Sequence, residues 1–371
     1  MKIVFINQTL GIGGAEVLET DLLSQWKKQG HEVKAYVTHT RFQKMLQREG
    51  IETEHIDVLI DIIGNWKGLL KAMILFPKAF LIYFNIVQKE KDADVIFLSG
   101  FPEKIVVSHL AKYFNVKVVW LEHGPLETVF NKFLYLPKFL YQSALSVPTQ
   151  IITPSQHTKD HLIDSTQLTE KRVTVIHNGR NIDTQKYLKN KTENNSQQIV
   201  CVSRLEPGKG QELLLQAFVK VKKELPKSEL IYVGEGDFQI QLEATISKLS
   251  ISGVQFTGWV PDSLEYVRKS DVCVFPSVWP LEGFGLVMIE AMALGKCVIA
   301  FDHAPANEII RNNKTGLLAK SGDIEDLASV IVKALKDKEM RNTLGNNASK
   351  DFQKNFSIQK CADQYLDIFS K

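Results

Sequence analysis

The sequence predicts an α/β protein made of two doubly wound domains whose ligand-binding rims face each other across a cleft. Three observations carry that expectation. At 371 residues the chain exceeds what one ordinary hydrophobic core organises. Short apolar runs alternate with amphipathic helical stretches almost from end to end, the pattern of βαβ units and a parallel sheet covered on both faces. The alternation stops once, in a polar segment, and then restarts.

In the first half, strands are predicted at 2–7, 32–37, 94–99, 117–122, 150–153 and 173–177, with helical patterns such as 15–29 and 103–114 between them. The polar tract within 186–198 has no apolar periodicity and reads as a linker. Beyond it, strands are expected at 199–203, 229–234, 254–257, 272–276 and 297–301, with helices at 211–224, 239–249, 285–294 and 324–335. The expected organisation is therefore an acceptor-side domain at 1–185, the linker at 186–198, a ligand-binding domain at 199–352, and a terminal helix in 353–371 that packs back on the first domain. In open sheets of this kind ligands sit at the carboxyl ends of the strands.

Composition narrows the function classes. With 44% hydrophobic and 23% charged residues the chain reads as globular, neither disordered nor multispan. A net charge of +3 with no dominant basic block argues against a nucleic-acid partner. Cys201, Cys273, Cys297 and Cys361 are scattered without a CxxC pair, so buried reduced thiols are expected rather than a zinc site or redox dithiol. The first residues resemble a strand more than a signal peptide, which predicts a cytoplasmic protein. Residues 69–87 are mostly apolar, yet Lys71, Pro77 and Lys78 make spanning a bilayer costly. A helix lying on a membrane surface, or a buried helix broken near Pro77, is expected there.

Two regions carry the chemistry. After the first strand, Gly11-Ile12-Gly13-Gly14-Ala15-Glu16 opens a helix, and its glycines let backbone amides approach an anion. Glu16 occupies the place of the third glycine of a dinucleotide fingerprint, and Tyr36-Val37-Thr38-His39 offers no carboxylate for an adenosine ribose, which argues against a dehydrogenase. The second region is more specific. Arg204-Leu205-Glu206-Pro207-Gly208-Lys209-Gly210 leads from a strand into a helix, and two cations so placed suit a diphosphate; alone they would read as surface charges. Pro276-Ser277 then leads to Glu282-Gly283-Phe284-Gly285-Leu286-Val287-Met288-Ile289-Glu290. Amides of Gly285 to Val287 at the helix start can receive phosphate oxygens, while Glu282 and Glu290 flank them and can accept hydrogen bonds from sugar hydroxyls. Asp92-Ala93-Asp94 looks like a metal-binding DxD, but it precedes its strand and so lies away from the ligand rim.

Together Arg204–Gly210, Tyr232-Val233-Gly234-Glu235-Gly236, Phe256-Thr257-Gly258-Trp259-Val260 and the Glu282/Glu290 block resemble family 4 of the retaining glycosyltransferases. Gly13-Gly14-Ala15-Glu16, Glu122-His123-Gly124 and Val175-Ile176-His177-Asn178-Gly179 extend the resemblance over nearly the whole chain. It implies the GT-B fold, two Rossmann-like domains, and a UDP- or GDP-linked sugar as donor. By the same resemblance Arg204 and Lys209 neutralise the diphosphate, Glu282 grips the transferred sugar and Glu290 the ribose. Residues Gly283 to Val287 (Gly283, Phe284, Gly285, Leu286 and Val287) complete the phosphate site and the backbone near Val260 meets the base. Gly13 and Gly14 approach the diphosphate or the acceptor, and His123 lines the reaction centre. Two departures stand out: His303-Ala304-Pro305-Ala306-Asn307-Glu308 where the family often has two glycines before a glutamate, and Arg180-Asn181 inserted after Asn178-Gly179.

The resemblance further implies transfer with retention by front-face substitution, without an essential metal or other cofactor. No carboxylate for a double displacement can be assigned from the residues. For the acceptor, a glycan or a lipid-linked sugar in polysaccharide or glycolipid synthesis is expected. Residues 66–91 carry Lys67, Lys71, Lys78, Lys89 and Lys91 against Glu90 alone, and 130–141 adds Lys132 and Lys138 among five aromatics, which suits an anionic membrane surface. Ordinary helices packed on a sheet are the competing reading. A sugar-nucleotide epimerase of the same fold is the rival function.

Overall fold

In the computed structural model, which describes residues 1–188 and 197–371, the chain divides into two compact units, Met1–Gly179 with Ile358–Lys371, and Arg180–Ser357. The first unit holds a seven-stranded, all-parallel sheet of β1 (Lys2–Asn7), β2 (Glu32–Val37), β3 (Glu52–His55), β4 (Val95–Leu98), β5 (Val118–Leu121), β6 (Gln150–Thr153) and β7 (Val173–Val175). Its spatial order is β3-β2-β1-β4-β5-β6-β7, so the winding reverses between β1 and β4. Both faces of the central strands are covered, which explains their unbroken apolar runs: Ile3, Val4, Phe5 and Ile6 are fully buried.

The second unit repeats the plan with six parallel strands, β8 (Gln198–Val202), β9 (Glu229–Val233), β10 (Val254–Phe256), β11 (Val272–Phe275), β12 (Cys297–Asp302) and β13 (Gly316–Lys320). The order β10-β9-β8-β11-β12-β13 reverses between β8 and β11. Loops leaving those two strands therefore diverge at a switch point, where open sheets of this kind bind ligands. The four cysteines are buried and unpaired, and burial pushes the thiols of Cys201, Cys297 and Cys361 up to about 12.

The sequence reading misses two strands. β3 is short and polar, and lies at the sheet edge where Lys34 Nζ bridges Glu52 and Glu54 at 2.8 Å each. β13 is also an edge strand, too short for its period to show. The segment read as a linker, 186–198, falls mostly outside the described residues; its first residues end a helix, Thr184–Leu188, and its last begins β8.

Helix Ile358–Phe369 belongs to the first unit. It packs on helix Gly14–Lys28, where the Trp26 indole donates to the Ala362 carbonyl at 3.1 Å. Trp26 also meets Tyr365 and Phe369 with ring centroids 5.8 and 5.1 Å away. Elsewhere in this unit, helix Trp66–Lys89 runs unbroken through Pro77 and is exposed along much of its length, so of the two alternatives expected there the buried, broken helix is not met. Proline at 77 withholds an amide from the Met73 carbonyl, but Met73 lies on the exposed side, where water reaches the backbone.

Candidate functional site

In the second unit the two loops at the switch point lock together. Gly210 caps helix Gln211–Glu224 at φ +75°, and a Cβ there would lie 1.8 Å from the Pro276 carbonyl oxygen, so only glycine lets the loop after β8 close against the loop after β11. That closure brings Lys209 to Glu282. Lys209 Nζ donates to Glu282 Oε2 at 2.7 Å and lies 4.5 Å from the centre of the Trp279 ring. The Ser277 hydroxyl donates to the same carboxylate oxygen at 3.0 Å. Both charged side chains are largely buried, each about 12% exposed.

Gly285, at φ +90°, caps helix Leu286–Ala293, so the amides of Leu286 and Val287 open the helix. A Cβ at 285 would come within 3 Å of Met288 and Phe275. Glycine therefore sets the angle at which the helix leaves β11. Phe284 is buried in the core beside it. Glu290, one turn into the helix, receives a hydrogen bond from Arg180 Nε at 2.9 Å. In the sequence Arg180 stands out only as a departure from the family pattern; its contact with Glu290 is not legible in residues 110 positions apart. Arg204 stands differently from Lys209. Its side chain is mostly exposed and its guanidinium pairs with Glu206 at 2.6 Å. Val260 follows the bridge between Gly234 and Gly258 and packs against the core.

In the first unit, the Gly13 amide donates to Glu16 Oε2 at 2.7 Å, and the Thr9 hydroxyl donates to Glu16 Oε1 at the same distance. Glu16 thus ties down the loop ahead of helix Gly14–Lys28. A Cβ at Gly11 would meet nothing within 4 Å, and one at Gly13 only Glu16 at 3.7 Å. Packing does not require either glycine. An open backbone beside a helix start suits a ligand brought close to the amides.

His123 follows β5. Its Nε2 lies 2.9 Å from Oε1 of Glu19, a fully buried carboxylate that sequence reasoning passed over because it sits mid-helix without a motif. Burial raises the Glu19 carboxyl above its ordinary value, and His123 opposes the shift. Next to it, Glu122 accepts from Lys104 Nζ at 2.6 Å and from the Tyr141 hydroxyl at 2.7 Å. A cavity of about 210 Å³ opens beside these groups, bordered by Ser99, Phe101, Lys104, His123 and Leu126. Asp92 and Asp94 contact Lys2, through its ammonium at 2.8 Å and its amide at 2.6 Å, at the amino end of β4. Among the described residues, no group of three or more His, Cys, Asp or Glu is arranged to hold a metal ion.

Glu103, at the start of helix Phe101–Tyr113, accepts from the Gln8 amide at 2.9 Å while its other oxygen has no partner. Burial pushes its carboxyl up to about 7. Between 4.5 and about 7 the folded protein holds a proton that the unfolded chain has released, so stability falls as pH rises through that window and stays lower above it. Glu103→Gln is expected to unfold at higher urea than the parent at pH 8, by about 2–3 kcal/mol, and to match it near pH 4.5. Equal gains at both pH values would disprove this origin.

Residues 12–184 match the family described as Glycosyltransferase Family 4, and residues 183–351 match Glycosyl transferases group 1. The capsular polysaccharide biosynthesis glycosyltransferase CapM of Staphylococcus aureus is 26% identical over 317 residues, 81% of this chain and 79% of that one. The Escherichia coli UDP-Gal:alpha-D-GlcNAc-diphosphoundecaprenol alpha-1,3-galactosyltransferase is 25% identical over 320 residues, 80% of each chain. Among solved structures, Anabaena HepE in complex with UDP superimposes with a TM-score of 0.83 over the full length of both chains at 23% identity, a likeness that establishes a shared fold.

Proposed function

Because the chain belongs to glycosyltransferase family 4 and has the GT-B fold, we propose that it is a retaining hexosyltransferase that moves a hexose or N-acetylhexosamine from a nucleotide sugar to a glycan or lipid-linked acceptor. The observation that carries this reading is the cluster of Lys209, Glu282 and Ser277 beside the start of helix Leu286–Ala293. In it, one buried ammonium and the helix amides face the departing diphosphate, while Glu282 accepts hydroxyl hydrogen bonds from the sugar. Arg204 leaves Glu206 to join the diphosphate. Glu290, steadied by Arg180, accepts from the ribose, and the backbone near Val260 meets the base. His123 acts on the reacting sugar.

These groups stabilise the negative charge that develops as the sugar departs, which is where electrostatic preorganisation lowers a barrier most. With that positive charge supplied by the protein, transfer proceeds without an essential metal. The leaving phosphate takes the acceptor proton on the face it vacates, and configuration is retained. UDP-sugars are the first donors to test, since HepE binds UDP and the Escherichia coli relative is named for UDP-galactose. GDP-sugars are the second.

The acceptor side points to cell-surface polysaccharide or glycolipid synthesis at the cytoplasmic face of a membrane. Helix Trp66–Lys89 is apolar and long enough to cross a bilayer, yet only 28% of its most apolar stretch is buried. Trp66, Leu70, Met73, Ile74 and Leu81 are exposed along it, and Leu134, Tyr135 and Phe139 are exposed on a second segment. Trp66 stacks edge-on against Phe133 at 4.8 Å, joining the two segments into one apolar surface. Phe133, Leu134 and Tyr135 all hold positive φ, and the side chains of the last two are exposed. Exchanging Lys67, Lys71 and Lys78 for glutamine is expected to weaken co-sedimentation with phosphatidylglycerol vesicles about tenfold; undiminished binding would remove the membrane from this reading.

The function is tested by following nucleotide release from a panel of UDP- and GDP-sugars, with and without a lipid extract, and by determining the anomeric configuration of the product. Release from one donor stimulated by the extract, with a retained linkage, is expected. An inverted product would overturn the mechanism. Isomerisation of the donor without any acceptor would mark an epimerase.

A further inference from the structure

The fully buried Glu19 has no part in the donor chemistry, and burying a carboxylate in a helix–sheet interface is costly unless hydrogen-bond partners compensate it. Its polar neighbours are His123, Asn7 and Ser99, with the Glu16 charge one turn away. His123 Nε2 lies 2.9 Å from Oε1, and Asn7 Nδ2 lies 3.3 Å from Oε2. Asn7 in turn donates to the Ser99 hydroxyl at 2.8 Å. Asn7 ends β1 and Ser99 follows β4, the two adjacent central strands at which the first sheet reverses its winding, so the carboxylate is anchored at the switch point of the sheet.

We propose that Glu19 is the positioning residue for His123: it accepts a hydrogen bond from Nε2–H, fixes the ring's rotation, and leaves Nδ1 as the nitrogen offered to the reacting sugar. A neutral imidazole carries its proton on one nitrogen only, and the partner of that nitrogen decides which face of the ring donates and which accepts. Glu19 stands on helix Gly14–Lys28, whose first turn follows Gly13. One helix therefore carries both the glycine loop and the group that orients His123. This inference rests on His123 acting at the reacting sugar.

The test uses the full-length enzyme with four variants: E19Q, E19L, H123A and E19L/H123A. With the donor that the panel identifies, H123A and E19L are each expected to lower kcat about 100-fold, and the double variant to be no slower than H123A. E19Q, whose amide oxygen can still accept from Nε2–H, is expected to stay within about tenfold of the parent. The dissociation constant for UDP should be unchanged throughout, because the second unit supplies the groups that bind it. Multiplicative losses in the double variant, or full activity in E19L, would overturn the proposal. Full activity in H123A would overturn it as well, while leaving the donor chemistry intact. A readout independent of turnover separates the proposal from the transferase reading: imidazole ¹⁵N shifts, assigned by the resonance that H123A lacks. They should show Nε2 protonated and Nδ1 bare in the parent and in E19Q, and a mixture of tautomers in E19L. A mixture already present in the parent would sink it, whatever the activity.

Discussion

Lys209→Ala is expected to reduce kcat/KM for the donor sugar by about 1,000-fold, with most of the loss in kcat. The ammonium is largely buried between the Trp279 ring and the Glu282 carboxylate, so no solvent cation of equal placement can replace it. Two effects add. Charge that grows on the departing diphosphate loses its counter-charge, an omission that typically costs a hundred- to a thousandfold. Glu282, left with the Ser277 hydroxyl alone, is then an uncompensated acid facing an anion. Because the interaction strengthens as the bond breaks, KM for the intact donor should change far less than kcat, whereas UDP, which carries the developed charge, should bind more weakly. Lys209→Arg should recover little, since a planar guanidinium does not fit a point-charge site packed against an aromatic face. Steady-state kinetics together with UDP titration calorimetry decide the matter. A variant that binds UDP weakly yet turns over normally would assign Lys209 to binding alone.

Trp26→Ala should produce the largest loss of stability, about 3–5 kcal/mol, because a fully buried indole would be replaced by a cavity. Trp26 joins three partners: Phe97 on β4 at 5.7 Å, and Tyr365 and Phe369 on the last helix. Its indole N–H also satisfies the Ala362 carbonyl. Removing the side chain therefore empties the seam by which helix Ile358–Phe369 is held to the sheet. Thermal unfolding should show a transition lowered by roughly 10 °C. UDP binding below that transition should survive, since none of the donor groups lies in this seam. A variant as stable as the parent would mean that the ring cluster repacks without a void.

How far the sequence anticipates the molecule depends on whether the physics is local. Central strands such as β1 and β12 are legible because both faces are buried and their apolar runs are unbroken. β3 is not, because an edge strand with the composition Glu-Thr-Glu-His is stabilised by Lys34 from the neighbouring strand rather than by its own pattern. Helix Trp66–Lys89 shows where a local rule misleads. Proline inside an apolar helix suggests a break, but the orphaned carbonyl lies on an exposed face and the helix continues.

The site divides along the same line. Lys209, Glu282, Gly285 and Glu290 stand out because their spacing along two loops is itself the signal, and the structure brings Lys209 and Glu282 into contact. Spacing groups Arg204 with Lys209 on the same grounds, but its side chain turns to Glu206, a neighbour two residues on whose competition the spacing does not reveal. Glu19 and the Arg180–Glu290 pair were illegible because each depends on residues about a hundred positions apart that only the finished fold brings together.

The placement of helix Ile358–Phe369 imposes an order on biosynthesis. The residues that complete the first unit are translated only after the whole of the second. As the chain emerges, the sheet built on β1 to β7 must wait with Trp26 and Phe97 uncovered while the second unit forms behind it. A nascent chain halted before residue 358 would thus hold a folded second unit and an unfinished first one with an open aromatic seam. Ribosome-bound intermediates of this protein should accordingly present a chaperone-binding surface until the final helix is released.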